Sequence, residues 1–446
     1  MITTRTALRL ALVSLLCSAA ANAADVDGRA VTFTKDVAPI IQAKCESCHR
    51  PGEMAPMSLV TYEQVRPWAK AIRQRVATRQ MPPWHIDPTV GVQSFQNDMS
   101  LSNAQISTVL KWVDAGAPQG DPKDMPAAKQ WPDNKGWLLS EQFGQPDLVI
   151  KSDMYTMPAK GQDSWFKPTA EVPLAEPRWV RAVEIRPGTA GGRKITHHAI
   201  AHLVQDEPMS AIGGVTQGLL MEWAVNKNYD VFRPNAGKLL LPGSRITWDI
   251  HYHAVGEQIR SNVELAVYLY PKGQEPKYRT FLTGFPGTPA AEGNHPLVLG
   301  DIDLPPNSVA QTEGWQTLPA PARLENFQPH MHLRGKAMLL EAILPDGTKR
   351  TISYVDRFNF NWMTNYIYSD DAAPVFPKGT AIHVVAWHDN TAANKNNPDP
   401  NQWVGWGDRT VDEMAHAWVN VTYITEEDYK EYARKQGLKT VAEAAR

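Results

Sequence analysis

The pattern of this chain predicts a multidomain protein: a small all-α domain followed by two tandem all-β antiparallel sandwiches. Three observations carry that expectation. Apolar residues recur at three- and four-residue spacing up to about residue 117, they alternate with period two from about Asp147 onward, and Pro, Gly and Asn clusters separate the alternating runs. The length of 446 residues suggests about three domains at 100–200 residues each. With 35 prolines and 29 glycines spread along it, the chain is built for many turns rather than long helices.

Residues 1–23 read as a signal peptide. Arg5 and Arg9 precede the apolar run Leu10–Leu16, and Ala21-Asn22-Ala23 supplies a small-x-small cleavage site. The run is far shorter than the about 20 residues that span a bilayer, and nothing later is apolar enough to do so. The mature chain is therefore expected to have no membrane span and to be periplasmic or secreted. A net charge of −2 gives no electrostatic case for nucleic acid or an anionic membrane surface.

Helices are expected over Phe33–Ala43, Thr61–Arg79 and Ser102–Ala115, with Val65, Trp68, Ile72 and Val76 on one stripe and Ile106, Val109, Leu110 and Val113 on another. Within this region Cys45-Glu46-Ser47-Cys48-His49 has the form that covalent haem attachment requires: two thiols add to the haem vinyl groups and the histidine becomes an axial iron ligand. A zinc knuckle needs a second pair of thiols, and the third cysteine, Cys17, lies far upstream. Residues 24–117 thus read as a c-type cytochrome domain carrying covalent haem c. Met81, which opens Met81-Pro82-Pro83-Trp84, is expected as the second axial ligand; Met54 and Met57 lie too near the attachment site, and His85 is its rival. Residues 118–146 read as a linker, from the Pro-, Lys- and Asp-rich stretch Pro118–Lys135.

In Arg245–Ala254, Ile246, Trp248, Ile250 and Tyr252 fall on one face, with Thr247, Asp249, His251 and His253 on the other. Val263–Leu269, Ala337–Leu344, Thr380–His388 and Ala415–Tyr423 are further strands. About 280 residues exceed one small sandwich, so two are expected, 147–290 and 291–425, with a boundary near Pro289–Pro296. Residues 426–446 read as a helical tail.

His197-His198, His251-Tyr252-His253 and His330-Met331-His332 hold six of the 13 histidines, each cluster at the start or end of a strand. In a His-x-His pair on a strand both rings project from one face, about 6–7 Å apart along the backbone, within reach of one metal ion. Adjacent His197 and His198 point to opposite faces of a regular strand, so both can ligate only at an irregularity such as a bulge. Imidazole alone suits copper, zinc, iron and nickel. A thioether at Met414, at the head of an expected strand Met414–Ile424 and on the same side as His416, favours copper. His202, His383 and His388 read as structural histidines, and Trp223, Trp387, Trp403 and Trp406 as packing.

Residues Asp147–Glu426 resemble the type II copper, ascorbate-dependent monooxygenases, the peptidylglycine- and dopamine-hydroxylating enzymes. His197-His198, Asp249-Ile250-His251-Tyr252, Pro329-His330-Met331-His332 and Asp412-Glu413-Met414 follow the family's order. The resemblance implies two jelly-roll sandwiches facing across a solvent-filled gap. It implies one copper held by His197, His198 and His251 that relays electrons, and a second held by His330, His332 and Met414 where dioxygen binds. Three positions depart from the family: Gln328 stands where the peptide-amidating enzyme has a carboxylate-binding arginine, and His416 and Trp418 stand where it has asparagine and tyrosine. Peptidylglycine is accordingly not the expected substrate.

The expected function is a monooxygenase that hydroxylates a small organic substrate with O2, its haem fed by a periplasmic electron donor. A non-catalytic electron-transfer or copper-handling protein is the alternative, and a carbohydrate-binding sandwich pair the weakest reading.

Overall fold

The computed structural model describes residues 29–438 except 54, 132–135, 208–217, 225–226 and 287–301. The expected signal peptide, Met54 and the Pro289–Pro296 boundary lie outside the described residues, as does the end of the tail. The chain divides into two compact units, one of residues up to Pro82 together with Leu101–Lys129, the other of Pro83–Ser100 together with Gln130–Arg446. The first unit is helical and the second, much larger, is mostly β-sheet. Among the described residues no helix is long and apolar enough to cross a membrane.

In the smaller unit a π-helical turn, Phe33–Val37, runs into the helix Ala38–Lys44, and further helices span Tyr62–Val65, Ala69–Ala77 and Asn103–Asp114. Two of these start at capping boxes, Thr61 with Gln64 and Ser102 with Gln105, in which each partner satisfies an otherwise orphaned backbone N–H. The expected single helix Thr61–Arg79 is interrupted by a 3-10 turn at Arg66-Pro67-Trp68. Pro67 lacks the N–H that would continue the ladder. The change of register leaves Trp68 44% exposed instead of on the buried stripe. Phe33, Val65, Val76, Val109 and Trp112 form the core.

In the larger unit, two hydrophobic cores lie between pairs of sheets. The first core sits between a sheet containing Thr196–Val204, Leu219–Ala224 and Arg245–Tyr252 and another containing Leu148–Lys151, Arg178–Pro187 and Val263–Leu269. The alternation expected in Arg245–Ala254 is observed, since Ile246, Trp248, Ile250 and Tyr252 are all fully buried in this core. Each such side chain contributes about 1.5–3 kcal/mol through its removal from water. The second core sits between the four-stranded sheet of Val309–Thr317, Gly335–Ile343, Lys349–Val355 and Ala381–Asp389 and a sheet containing Tyr278–Phe285, Asn326–Met331 and Ala415–Tyr423.

The division between the halves differs from expectation. Tyr278–Phe285 pairs with Ala415–Tyr423 and buries Phe281 and Phe285 in the second core. It also runs parallel to Ala236–Leu240 of the first half, so one continuous sheet joins both. Hydrophobic pattern could not show this, because a strand's partners are chosen across long sequence separations. At the junction a Cβ on Gly237 would stand 2.5 Å from the carbonyl oxygen of Val180, so only glycine allows the backbones to approach.

The expected cytochrome domain is also not contiguous. Pro83–Ser100 belongs to the larger unit, where Ile86 bridges Val355, Phe95 bridges Tyr368, and the Trp84 ring meets Tyr366 edge-on at 4.7 Å. Nor is all of 118–146 linker: Trp137 and Leu139 pack with Ala182, Ala266 and Tyr268, while the buried Glu184 carboxylate accepts the N–H groups of Leu138 and Leu139. Of the tail, Glu426–Lys435 is a helix whose Tyr429 and Ala433 pack against Ala236, Tyr278 and Val375.

Candidate metal centres

Three histidines converge in the first half of the larger unit. Arg245–Tyr252 pairs His251 with His198 and then Tyr252 with Thr196, so His197 is an extra residue opposite no partner. This is the bulge that two adjacent ligands need, since it turns both rings to one side. Ring centroids are 5.5 Å apart for His197 and His198, 5.0 Å for His197 and His251, and 5.1 Å for His198 and His251. Imidazoles bound to one ion through nitrogens at about 2.0 Å place their centroids roughly 4.5–5.5 Å apart. Among the described residues this trio forms the one set of His, Cys, Asp or Glu whose donor atoms all lie within 4.8 Å of one another.

The surroundings prepare these rings as ligands. His251 Nε2 donates to Asp163 Oδ2 at 2.8 Å, leaving Nδ1 for a metal, and Trp165 stacks on the same ring at 4.4 Å. Phe360 stacks on His197 at 4.9 Å. Burial, reinforced by the neighbouring histidines, pushes the pKa of His197 down to about 3 and that of His198 well below its ordinary value. Burial lowers His251 as well, against the pull of Asp163. Neutral imidazole is the form that binds metal.

His330 and His332 lie at the end of Asn326–Met331, their centroids 5.4 Å apart. His332 Nδ1 donates to the carbonyl oxygen of Asp412 at 3.1 Å, leaving Nε2 available. The fully buried Glu413 carboxylate accepts the backbone N–H of His332 at 3.0 Å and of Arg334 at 2.6 Å, which fixes this turn. Met414 is half-buried and precedes the strand Ala415–Tyr423 instead of opening it. Cross-strand pairing sets His416 directly opposite His330, their rings 4.6 Å apart. The two clusters adjoin: the His198 and His330 rings are 6.4 Å apart, where the resemblance implied a solvent-filled gap. Gln328, at 1% exposure, donates to Glu222 Oε2 of the first half at 2.9 Å, and Trp418 is 4% exposed. Gln328 and Trp418 are therefore buried contacts.

In the smaller unit Cys45, Cys48 and His49 form a helical turn after Ala38–Lys44, the N–H of His49 donating to the carbonyl of Cys45 at 2.9 Å. Neither cysteine is in a disulfide. Burial pushes the Cys45 thiol up to about 12 and raises Cys48, so neither is a ready thiolate ligand. His49 Nδ1 donates to the Met57 carbonyl at 3.2 Å, which leaves Nε2 as its other ring nitrogen. Met81 follows the helix Ala69–Ala77 and is half-buried before Pro82. Its rival His85 lies in the larger unit, where its backbone N–H donates to the Tyr366 hydroxyl at 3.1 Å.

Two of the histidines read as structural have side-chain neighbours on the β-sheets. His383 bonds Glu341 at 2.7 Å and Glu313 at 3.1 Å, and the fully buried His388 lies 3.3 Å from the Thr312 hydroxyl. Sequence reading missed the supporting roles of Asp163, Phe360 and Glu222. Asp163 stands 88 positions from His251, and no local spacing marks it.

No protein-family model and no curated protein matches this chain. Solved structures with some likeness include a protein of Bacteroides ovatus assigned as an α-L-fucosidase (8% identity, 72% of this chain and 43% of that one, TM-score 0.16). Others are a Paenibacillus xanthan lyase (10%, 69% and 28%, TM-score 0.16) and the VP2 protein of infectious bursal disease virus (11%, 67% and 73%, TM-score 0.18). The chain thus spans less than half the length of the first two, and at these scores none of the likenesses carries an argument about function.

Proposed function

We propose that this chain is an exported haem- and copper-containing monooxygenase that hydroxylates a C–H bond of a small organic substrate with O2, using electrons delivered by its own c-type haem. The single observation that carries the reading is the convergence of His197, His198 and His251 at a bulge, beside His330 and His332 in the same buried region. On this reading the helical unit is a c-type cytochrome and the β unit a pair of jelly-roll sandwiches.

The donor sets suit the groups. Three neutral imidazoles suit copper, and His251 and His332 each give their second ring N–H to an oxygen, as metal-bound histidines do. His49 does the same toward Met57, as an axial haem ligand would. Cys45 and Cys48 would carry the porphyrin, with Met81 completing its iron. His197, His198 and His251 would hold the electron-relaying copper, and His330, His332 and Met414 the other. Bound copper supplies one-electron redox chemistry and dioxygen activation.

The reaction balances as R–H + O2 + 2e⁻ + 2H⁺ giving R–OH + H2O, the two electrons being supplied by a periplasmic donor. The chain's own part is to keep the imidazoles neutral, fix their tautomers through Asp163 and the Asp412 carbonyl, and exclude bulk water by burial.

One observation favours a second reading, a non-catalytic electron-transfer or copper-handling protein: Gln328 and Trp418 are closed off from solvent. Two measurements test the choice. Two coppers per haem are expected, and incorporation of one atom of labelled dioxygen into an organic product requires the enzyme. Copper binding without any incorporation, across a broad substrate screen with reduced haem, would favour the second reading. Absence of copper and haem would end both.

A further inference from the structure

We propose that His416 is a third imidazole ligand of the second metal centre, beside His330 and His332; the inference rests on the copper reading above. His416 is 9% exposed, sits opposite His330 in strand register, and its Nε2 is buried with no hydrogen-bond partner. A buried polar atom left unpaired costs about 1–3 kcal/mol in proteins, and a bound ion would satisfy this one.

The surroundings hold the ring at the centre. The Trp418 indole meets His416 edge-on at 4.6 Å, and the His330 ring lies 4.6 Å from it on the other contact. Gly284 leaves the space: a Cβ there would stand 3.3 Å from Trp418 Cζ3 and 3.5 Å from His416 Cδ2. The separations of 4.6 Å to His330 and, from there, 5.4 Å to His332 fall in the range that imidazoles on one ion take up. As the rings stand, the donor atoms of His330, His332 and His416 do not all lie within 4.8 Å of one another, and the His330 and His416 rings are inclined by only 29°; binding one ion would require one of them to turn about its Cβ–Cγ bond, a broad and soft torsion. An all-nitrogen donor set would bind copper(II) more readily than two imidazoles and a thioether, which favour copper(I).

Full-length protein titrated with copper(II) sulfate, with coordinated imidazoles counted by pulsed EPR, tests this. His416→Gln is expected to leave the first ion at wild-type affinity, weaken the second more than 10-fold and remove one imidazole. If the second ion keeps both affinity and imidazole count, the role of His416 is overturned while the copper reading stands. If the wild type takes up no copper, the copper reading itself falls. A His197→Ala protein needs no change at His416: X-ray absorption of its remaining copper must show three imidazoles, and two imidazoles with one sulfur would refute the assignment.

Discussion

Asp163 accepts a hydrogen bond from the Nε2–H of His251 at 2.8 Å, and so decides which nitrogen of that ring faces His197 and His198. Carboxylates in this position fix the tautomer and raise ligand basicity, and their loss typically lowers metal affinity about 10–100-fold. Asp163→Ala should weaken copper at the first trio by that factor with little change in fold, since Asp163 is half-exposed. A competition titration reads the affinity; an unchanged value would remove Asp163 from the site.

Glu413 performs a related task on the backbone. Its carboxylate is fully buried and accepts the N–H groups of His332 and Arg334. Glu413→Ala strands both donors, at about 1–3 kcal/mol each. Urea denaturation of the metal-free protein should show a midpoint lowered accordingly, and Glu413→Gln, which retains one acceptor, should lose less.

Acid should destabilise the metal-free protein before any ordinary carboxylate titrates. His197 and His416 have folded pKa values of about 3, depressed chiefly by burial, against 6.5 when unfolded. Between those values the unfolded chain binds protons that the native state refuses, so stability is intact above about pH 6.5 and falls as pH drops toward 3. Each group contributes a slope of about 1.4 kcal/mol per pH unit within that window. Unfolding free energy measured across pH 3.5–7 should show a slope worth at least two protons, and a flat profile would contradict the burial of these rings.

On the proposed haem reading, Met81→Ala should abolish the sulfur-to-iron charge-transfer band while leaving the porphyrin covalently attached. Cys45→Ser with Cys48→Ser should release it under denaturing conditions. Survival of the band in Met81→Ala would mean that another residue supplies the second axial ligand.

Much of this was legible in local pattern. Period-two alternation placed Ile246, Trp248, Ile250 and Tyr252 in a core, and the adjacency of His197 and His198 required the bulge that is found. Long-range pairing was not legible. The side of the boundary to which Tyr278–Phe285 belongs depends on Ala415–Tyr423, far along the chain, and the partner of His330 proved to be His416 across a strand. Pro67 carried a clear breaker signal that the apolar stripe outweighed in reading, and Trp68 was misplaced for that reason.

Pro83–Ser100 leaves the helical unit between two of its helices and returns to it, having contributed Trp84 and Ile86 to the second β core. The polypeptide therefore passes from one unit to the other three times, and no single cut yields both halves intact. A fragment starting at residue 118 would expose the edge that Ile86, Asp87 and Val92 cover along Ile352–Val355. Such topology ties inheritance of one module to inheritance of the other, since neither can be exchanged by joining ends.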